Sequence, residues 1–187
     1  MYKSKIKNGS VIFFLFYVTI IQAFTGEKYY NIIELINKSD VIARGKVVSI
    51  NSYEKERGRI YSDILFSVTE IYKGNVVNIE IHLTTLGGTL GGITTFSPDL
   101  PCFVKDQESI LFLKQNSTNK NKYFILGLPQ GKFNLYSSSN NKLMIVRDRF
   151  MNQELQISSV NKEICISSEK PMSFDEFVIY IKAYIKK

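Results

Sequence analysis

The chain has 187 residues, 44% of them hydrophobic, 13% aromatic and 22% charged, with a formal net charge of +7. That apolar content is enough to offset the entropy of ordering the chain and excludes disorder, while the length supports one domain and leaves little room for a second. Removing Lys3, Lys5 and Lys7 with the N-terminal segment described next lowers the charge to +4. The lysines that stay, such as Lys38, Lys46, Lys55, Lys105, Lys120 and Lys122, are scattered rather than gathered into the stripe a nucleic-acid groove requires, so no nucleic acid is expected as a partner.

Residues 1–23 read as a cleavable secretion signal. A basic region around Lys3 to Lys7 precedes the apolar run Val11 to Ile21, and Gln22-Ala23-Phe24 follows. Ala23 supplies the small residue that signal peptidase accepts at the cut, with Gly26 as the second candidate position. A membrane-spanning helix needs about 20 apolar residues and this run is near half of that, so no membrane span is expected after cleavage. The expected location is exported, periplasmic or extracellular, with residues 24–187 as one domain. In that oxidising setting Cys102 and Cys165 form one disulfide or stay as two half-buried thiols, and a single pair carries no spacing that decides between them.

In the mature chain, Tyr29 to Lys38 carries Ile32, Ile33, Leu35 and Ile36 at helical spacing and stops at Ser39-Asp40. Val41 to Ile50 is rich in β-branched residues and reads as a strand, with Gly45 marking a bulge or a tight bend. Glu54 to Arg59 is a polar turn, followed by a long strand from Ile60 to Glu70. After the turn at Lys73-Gly74-Asn75, Val76 to Thr85 alternates, with Val77, Ile79, Ile81 and Leu83 on one face and Asn78, Glu80, His82 and Thr84 on the other. A glycine-rich loop, Leu86 to Gly92, leads through Ser97-Pro98-Asp99-Leu100-Pro101 to the apolar strand Ser109 to Leu113.

Shorter strands are predicted at Tyr123 to Leu126, Gly131 to Leu135, Lys142 to Arg147 and Glu163 to Ser167. Ser173 and Glu176 form a capping-box pattern, and Phe174, Phe177, Val178, Ile181, Tyr184 and Ile185 repeat at helical spacing to the end. Successive strands joined by turns, with little helix between them, predict a mainly β fold: an OB-like antiparallel β-barrel with a short N-terminal helix and a C-terminal amphipathic helix packed on it.

His82 is the only histidine, which excludes a His-pair metal motif, and no Gly-x-Ser-x-Gly elbow accompanies it. Gly87-Gly88 and Gly91-Gly92 lack the Lys-Ser/Thr and the following helix of a phosphate loop. Asp63, Glu70, Glu80 and Glu108 leave a carboxylate-based hydrolase as the rival reading, although strand carboxylates are ordinarily solvated surface. No catalytic residue, cofactor or metal is assigned. The candidate binding surface is the loop with its neighbours: His82, Gly87, Gly88, Gly91, Gly92, Phe96 and Phe103. Plugging of the barrel end by Phe96 and Phe103 is the competing reading.

Ser39-Asp40-Val41-Ile42-Ala43-Arg44-Gly45-Lys46-Val47-Val48, followed by Thr69-Glu70-Ile71-Tyr72-Lys73-Gly74, resembles a widespread group of uncharacterised exported bacterial domains. The resemblance runs on through Leu86-Gly87-Gly88, Gly91-Gly92, Pro101, Phe103, Ile110 to Leu113, Gly127 and Gly131-Lys132-Phe133, covering residues 39–135. Some of those domains accompany matrixin-type metalloproteases. No His-Glu-x-x-His segment occurs here, so the resemblance implies the accessory domain without the peptidase. The first two blocks are similar, more distantly, to netrin-like domains and tissue inhibitors of metalloproteinases, which are OB-type barrels. Those inhibitors act through an N-terminal cysteine, and neither cleavage position here exposes one, so only the barrel is carried over. The expectation is an exported non-catalytic binding or accessory module of the cell envelope, its partner an envelope protein or a protease. A metalloprotease inhibitor with unconventional contacts is a further alternative.

Overall fold

The computed structural model describes residues 29–97, 99–148 and 171–185. The signal segment with both cleavage positions, Pro98, the strand expected over Glu163 to Ser167, and Cys165 lie outside the described residues.

Helix α1 spans Ile32–Lys38 and buries Leu35 and Ile36. Its start is set by a capping box: the Asn31 side chain accepts from the Glu34 N–H at 2.9 Å, and the Glu34 carboxylate accepts from the Asn31 N–H at 3.2 Å. Two otherwise orphaned donors are satisfied at once. The other end closes on Ser39, whose hydroxyl donates to the Leu35 carbonyl at 2.6 Å, and on Lys73, whose ammonium reaches the Ile36 carbonyl at 2.5 Å. A cation there complements the negative end of the helix. Asp40 then fastens the chain to its neighbour, accepting from Lys114 Nζ at 2.6 Å and the Gln115 N–H at 2.9 Å.

Strands β1, Val41–Lys55, and β2, Arg59–Lys73, form a long antiparallel ribbon of 15 residues each. β3, Glu80–Leu86, continues it, and a small separate hairpin, β4, Gly88–Leu90, with β5, Ile93–Thr95, follows. β6, Glu108–Gln115, β7, Tyr123–Ile125, β8, Lys132–Ser137, β9, Leu143–Arg147, and β10, Met172–Ser173, complete the strands. Helix α2, Phe174–Ile185, ends the described chain and buries Phe177 and Ile181. The sheet is antiparallel throughout, in the order β10-β9-β8-β6-β1-β2-β3, with β7 added to β6.

The apolar run of β6 explains why it is central. Leu111 and Leu113 face one core, with Val41, Val47, Ile64, Phe66, Ile81 and Phe103, whereas Ile110 and Phe112 face a second core, with Ile42, Phe133 and the helix residues Leu35, Ile36, Phe177 and Ile181. A strand buried on both faces has no polar register to alternate with. Each large side chain so buried contributes about 1.5–3 kcal/mol. Gly45 marks a register shift between β1 and β2, and a Cβ there would come within 2.6 Å of the Phe66 ring. The glycine lets that ring lie across β1.

One expectation changes, and the mainly β antiparallel fold with a helix at each end stands. β3 begins at Glu80 rather than Val76, and Val77 and Ile79 are 62% and 74% exposed instead of sharing the buried face of Ile81 and Leu83. The ladder with β2 starts at the Ser67–Glu80 pair; before it only the Ile79 carbonyl still accepts from the Val68 N–H at 2.7 Å, and it is Val76 rather than Val77 or Ile79 that packs against the core. Nor do hydrogen bonds close the sheet into a barrel among the described residues. β3 and β7 approach within 8 Å between Cα atoms yet share no ladder, and side chains of Leu83, Leu86, Tyr123 and Phe124 line the gap between them. Paired strands would stand at about 4.8 Å.

Candidate functional site

The register of β3 assigns its side chains. His82 pairs across to Leu65 and is exposed, and its neighbour Thr84 donates to Asp63 at 2.7 Å, an oxygen that Tyr53 also reaches at 3.3 Å. His82 therefore belongs to a solvent-facing polar surface of the ribbon. Leu83 faces inward. Where β3 ends, the Gly87 N–H donates to the Ile60 carbonyl at 2.8 Å and the Ser62 hydroxyl donates to the Gly87 carbonyl at 2.8 Å, folding the chain back over the ribbon.

Gly88 has φ +134, and a Cβ on it would meet the hydroxyls of Ser52 and Ser62. Both its dihedral and its neighbours demand glycine. Gly91 and Gly92, at φ +58 and +81, make the turn between β4 and β5 with open space around them. What the sequence reads as one loop is thus a hairpin clamped at Gly87-Gly88 and tipped by Gly91-Gly92. It holds Leu90 and Ile93 in solvent, with Phe96 just beyond.

The two phenylalanines separate. Phe96 is 55% exposed, whereas Phe103 is 8% exposed and packs in the core with Val41, Leu83 and Leu111. Phe103 also floors an apolar cleft of about 130 Å³, walled by Leu83, Leu86, Pro101, Tyr123 and Phe124 in the gap between β3 and β7. Leu86, Phe124 and Leu128 stand exposed on its rim. The Tyr123 hydroxyl is buried with no hydrogen-bond partner among the described residues. His82, Gly87, Gly88, Gly91, Gly92 and Phe96 do not line the cleft. Of the expected surface, only Phe103 does.

Behind Phe103 lies a buried polar cluster. The Lys132 side chain is wholly buried, and its ammonium donates to Asp148 at 3.0 Å, to Gln107 at 3.3 Å and to the Asn134 carbonyl oxygen, while lying 5.2 Å from the Phe103 ring centre. Burial pushes the Lys132 ammonium down from its ordinary value, against the opposing charge and hydrogen bond of Asp148. Asp148 also accepts from the Cys102 N–H at 3.1 Å. The cluster therefore ties the segment carrying Cys102 and Phe103 to β8. Only the Gly131-Lys132-Phe133 resemblance points to Lys132 in the sequence. Asp148, Asn134 and Tyr123 carry no local signal at all.

The carboxylates of the hydrolase reading are dispersed. Asp63 is held by Thr84, Glu70 accepts from Tyr72 at 2.8 Å, and Glu108 accepts from Arg44 at 2.9 Å. Neither they nor Glu80 line the cleft. Among the described residues, no three His, Cys, Asp or Glu side chains gather closely enough to hold a metal ion. No helix among them is long and apolar enough to cross a membrane. No known protein family, curated protein or solved structure matches this chain.

Proposed function

We propose that the protein is an exported, non-catalytic binding or accessory module of the cell envelope, built on an OB-like barrel, that docks an extended apolar segment of a partner protein in the cleft beside β3. The observation that carries this reading is the cleft itself: an apolar floor and walls, an exposed rim of Leu86, Phe124 and Leu128, and no carboxylate in its lining among the described residues. Beside it, the outer edge of β3 pairs with no other strand among the described residues. Apolar pockets next to an unpaired strand edge suit segments that add backbone hydrogen bonds while seating alternate side chains. The close approach of β3 to β7 supports the barrel, since among the described residues β7, β6, β1, β2 and β3 are joined in turn by ladders and a further ladder between β3 and β7 would close the ring. An envelope protein or a protease is the class of partner this implies.

A carboxylate-based hydrolase has less support, because its acidic residues are engaged separately and away from the cleft. The test compares Phe124→Asp with Ile179→Asp, an exposed position on α2. Affinity capture from the native envelope should recover the same partner with wild type and Ile179→Asp, and lose it with Phe124→Asp at unchanged thermal stability. Retention of that partner by Phe124→Asp defeats the reading.

A further inference from the structure

We propose that Lys132 and Asn134 join by themselves into an intramolecular amide cross-link, with Asp148 carrying the proton and Ser109 holding the carbonyl oxygen. The two residues are separated by one position on β8, so their side chains leave the same face about 7 Å apart, a span that a lysine side chain covers. Lys132 folds back along the strand, and its nitrogen contacts the Asn134 amide oxygen. Ser109 donates to that same oxygen at 3.1 Å. Once Lys132 adds to the carbon, the Ser109 hydroxyl is the donor left on that oxygen, and it stabilises the oxyanion formed on attack.

The other end of the amide is prepared to leave. Asn134 Nδ2 is buried and has no hydrogen-bond partner among the described residues. A buried N–H without a partner is costly, and nothing among the described residues on that side holds the amide nitrogen in place as it leaves. Asp148, 3.0 Å from the amine, is the group that takes its proton. The side chain of Lys132 is wholly buried and that of Asp148 nearly so, which keeps water from hydrolysing the adduct. Burial also lowers the Lys132 ammonium from its ordinary value, which favours the neutral amine that attacks.

The reaction balances without any co-reactant. The Lys132 ammonium gives a proton to Asp148, and the neutral Nζ adds to Cγ of Asn134, forming a new C–N bond and an oxyanion on Oδ1. The oxyanion collapses and breaks the Cγ–Nδ2 bond. Nδ2 departs with its two hydrogens, one from the amine and the proton returned by Asp148, as ammonium. Asp148 is regenerated as a carboxylate.

Mass spectrometry of the purified full-length exported protein tests this without a variant. The chain should be lighter than its cleaved sequence by one ammonia, once any disulfide is counted. After denaturation, trypsin should fail to cut after Lys132, and the fragment spanning Lys132 and Asn134 should carry the loss. Asp148→Ala should restore both the full mass and cleavage after Lys132, and Asn134→Asp should lose water in place of ammonia. A full mass in the wild-type protein, a loss placed at the N-terminus, or a loss of water joining Lys132 to Asp148 overturns the proposal.

Discussion

Phe96 and Phe103 flank one short connecting segment and end on opposite sides of the protein boundary, 55% and 8% exposed. Only Phe103 packs with the inner core and floors the cleft. Phe103→Ala should cost about 3–5 kcal/mol, as removal of a packed aromatic ring does, and Phe96→Ala should cost under about 0.5 kcal/mol. Urea denaturation of the two single variants measures this directly. Equal losses would show that Phe96 is also a core plug.

Gly88 and Gly91 differ in what surrounds them. At Gly88 an added Cβ meets Ser52 and Ser62 at φ +134, whereas at Gly91 it meets nothing at φ +58. Gly88→Ala should destabilise by about 1–3 kcal/mol through crowding and backbone strain. Asparagine tolerates the left-handed region, so Gly91→Asn should stay within about 0.5 kcal/mol of wild type. Thermal melting of both variants tests the difference, and a Gly88→Ala protein as stable as wild type would remove the clamp.

Asp40 links pH to stability at the junction of α1 and β1. Burial works to raise its carboxyl, but the hydrogen bonds from Lys114 and the Gln115 N–H, with the charges of Lys114 and Lys73, outweigh it and hold the group below its ordinary value of 3.8. A depressed folded value means the contribution is complete above 3.8 and is lost as pH falls through the lower folded value. The slope of stability against pH below that point should be shallower in Asp40→Asn. Denaturant midpoints taken at neutral pH and across the acid limb check it, and an unchanged acid slope would remove Asp40 from the linkage.

Export should leave a chain that begins at Phe24, because the basic, apolar and small-residue regions precede Ala23 in the order that signal peptidase reads. Intact-mass measurement of the secreted protein establishes this, and a mature form that retains Met1 refutes it. The same sample, labelled for thiols under denaturing and non-reducing conditions, should show no reactive cysteine if Cys102 and Cys165 pair. Two labels per molecule reject the bridge.

Features that depend on neighbouring residues are the ones legible in the chain itself. The alternation over Ile60 to Phe66, the unbroken apolar run of β6, the turns at Glu54 to Arg59 and Lys73-Gly74, and the periodicity of α2 all appear in the structure. Each reflects which side of a single strand or helix meets the apolar interior, and that is written at spacings of two or about 3.6 residues. The glycine pattern announced a special backbone from Gly87 to Gly92, though its hairpin emerges only from the ladder between β4 and β5.

What the tertiary structure decided is where distant segments meet. Val77 and Ile79 match Ile81 and Leu83 in pattern, but the regular ladder with β2 begins only at Glu80, and before it the chain leaves the alternation so that Val76, not Val77 or Ile79, packs against the core. Phe96 and Phe103 are alike as residues and differ because only Phe103 sits over Leu83 and Tyr123. Lys132 is the sharpest case. A lysine can be wholly buried only where other parts of the chain satisfy its charge, and its partners Gln107 and Asp148 come from either side of β8 in the sequence. Burial of a charge is a property of that assembled environment, and no local pattern around residue 132 encodes it.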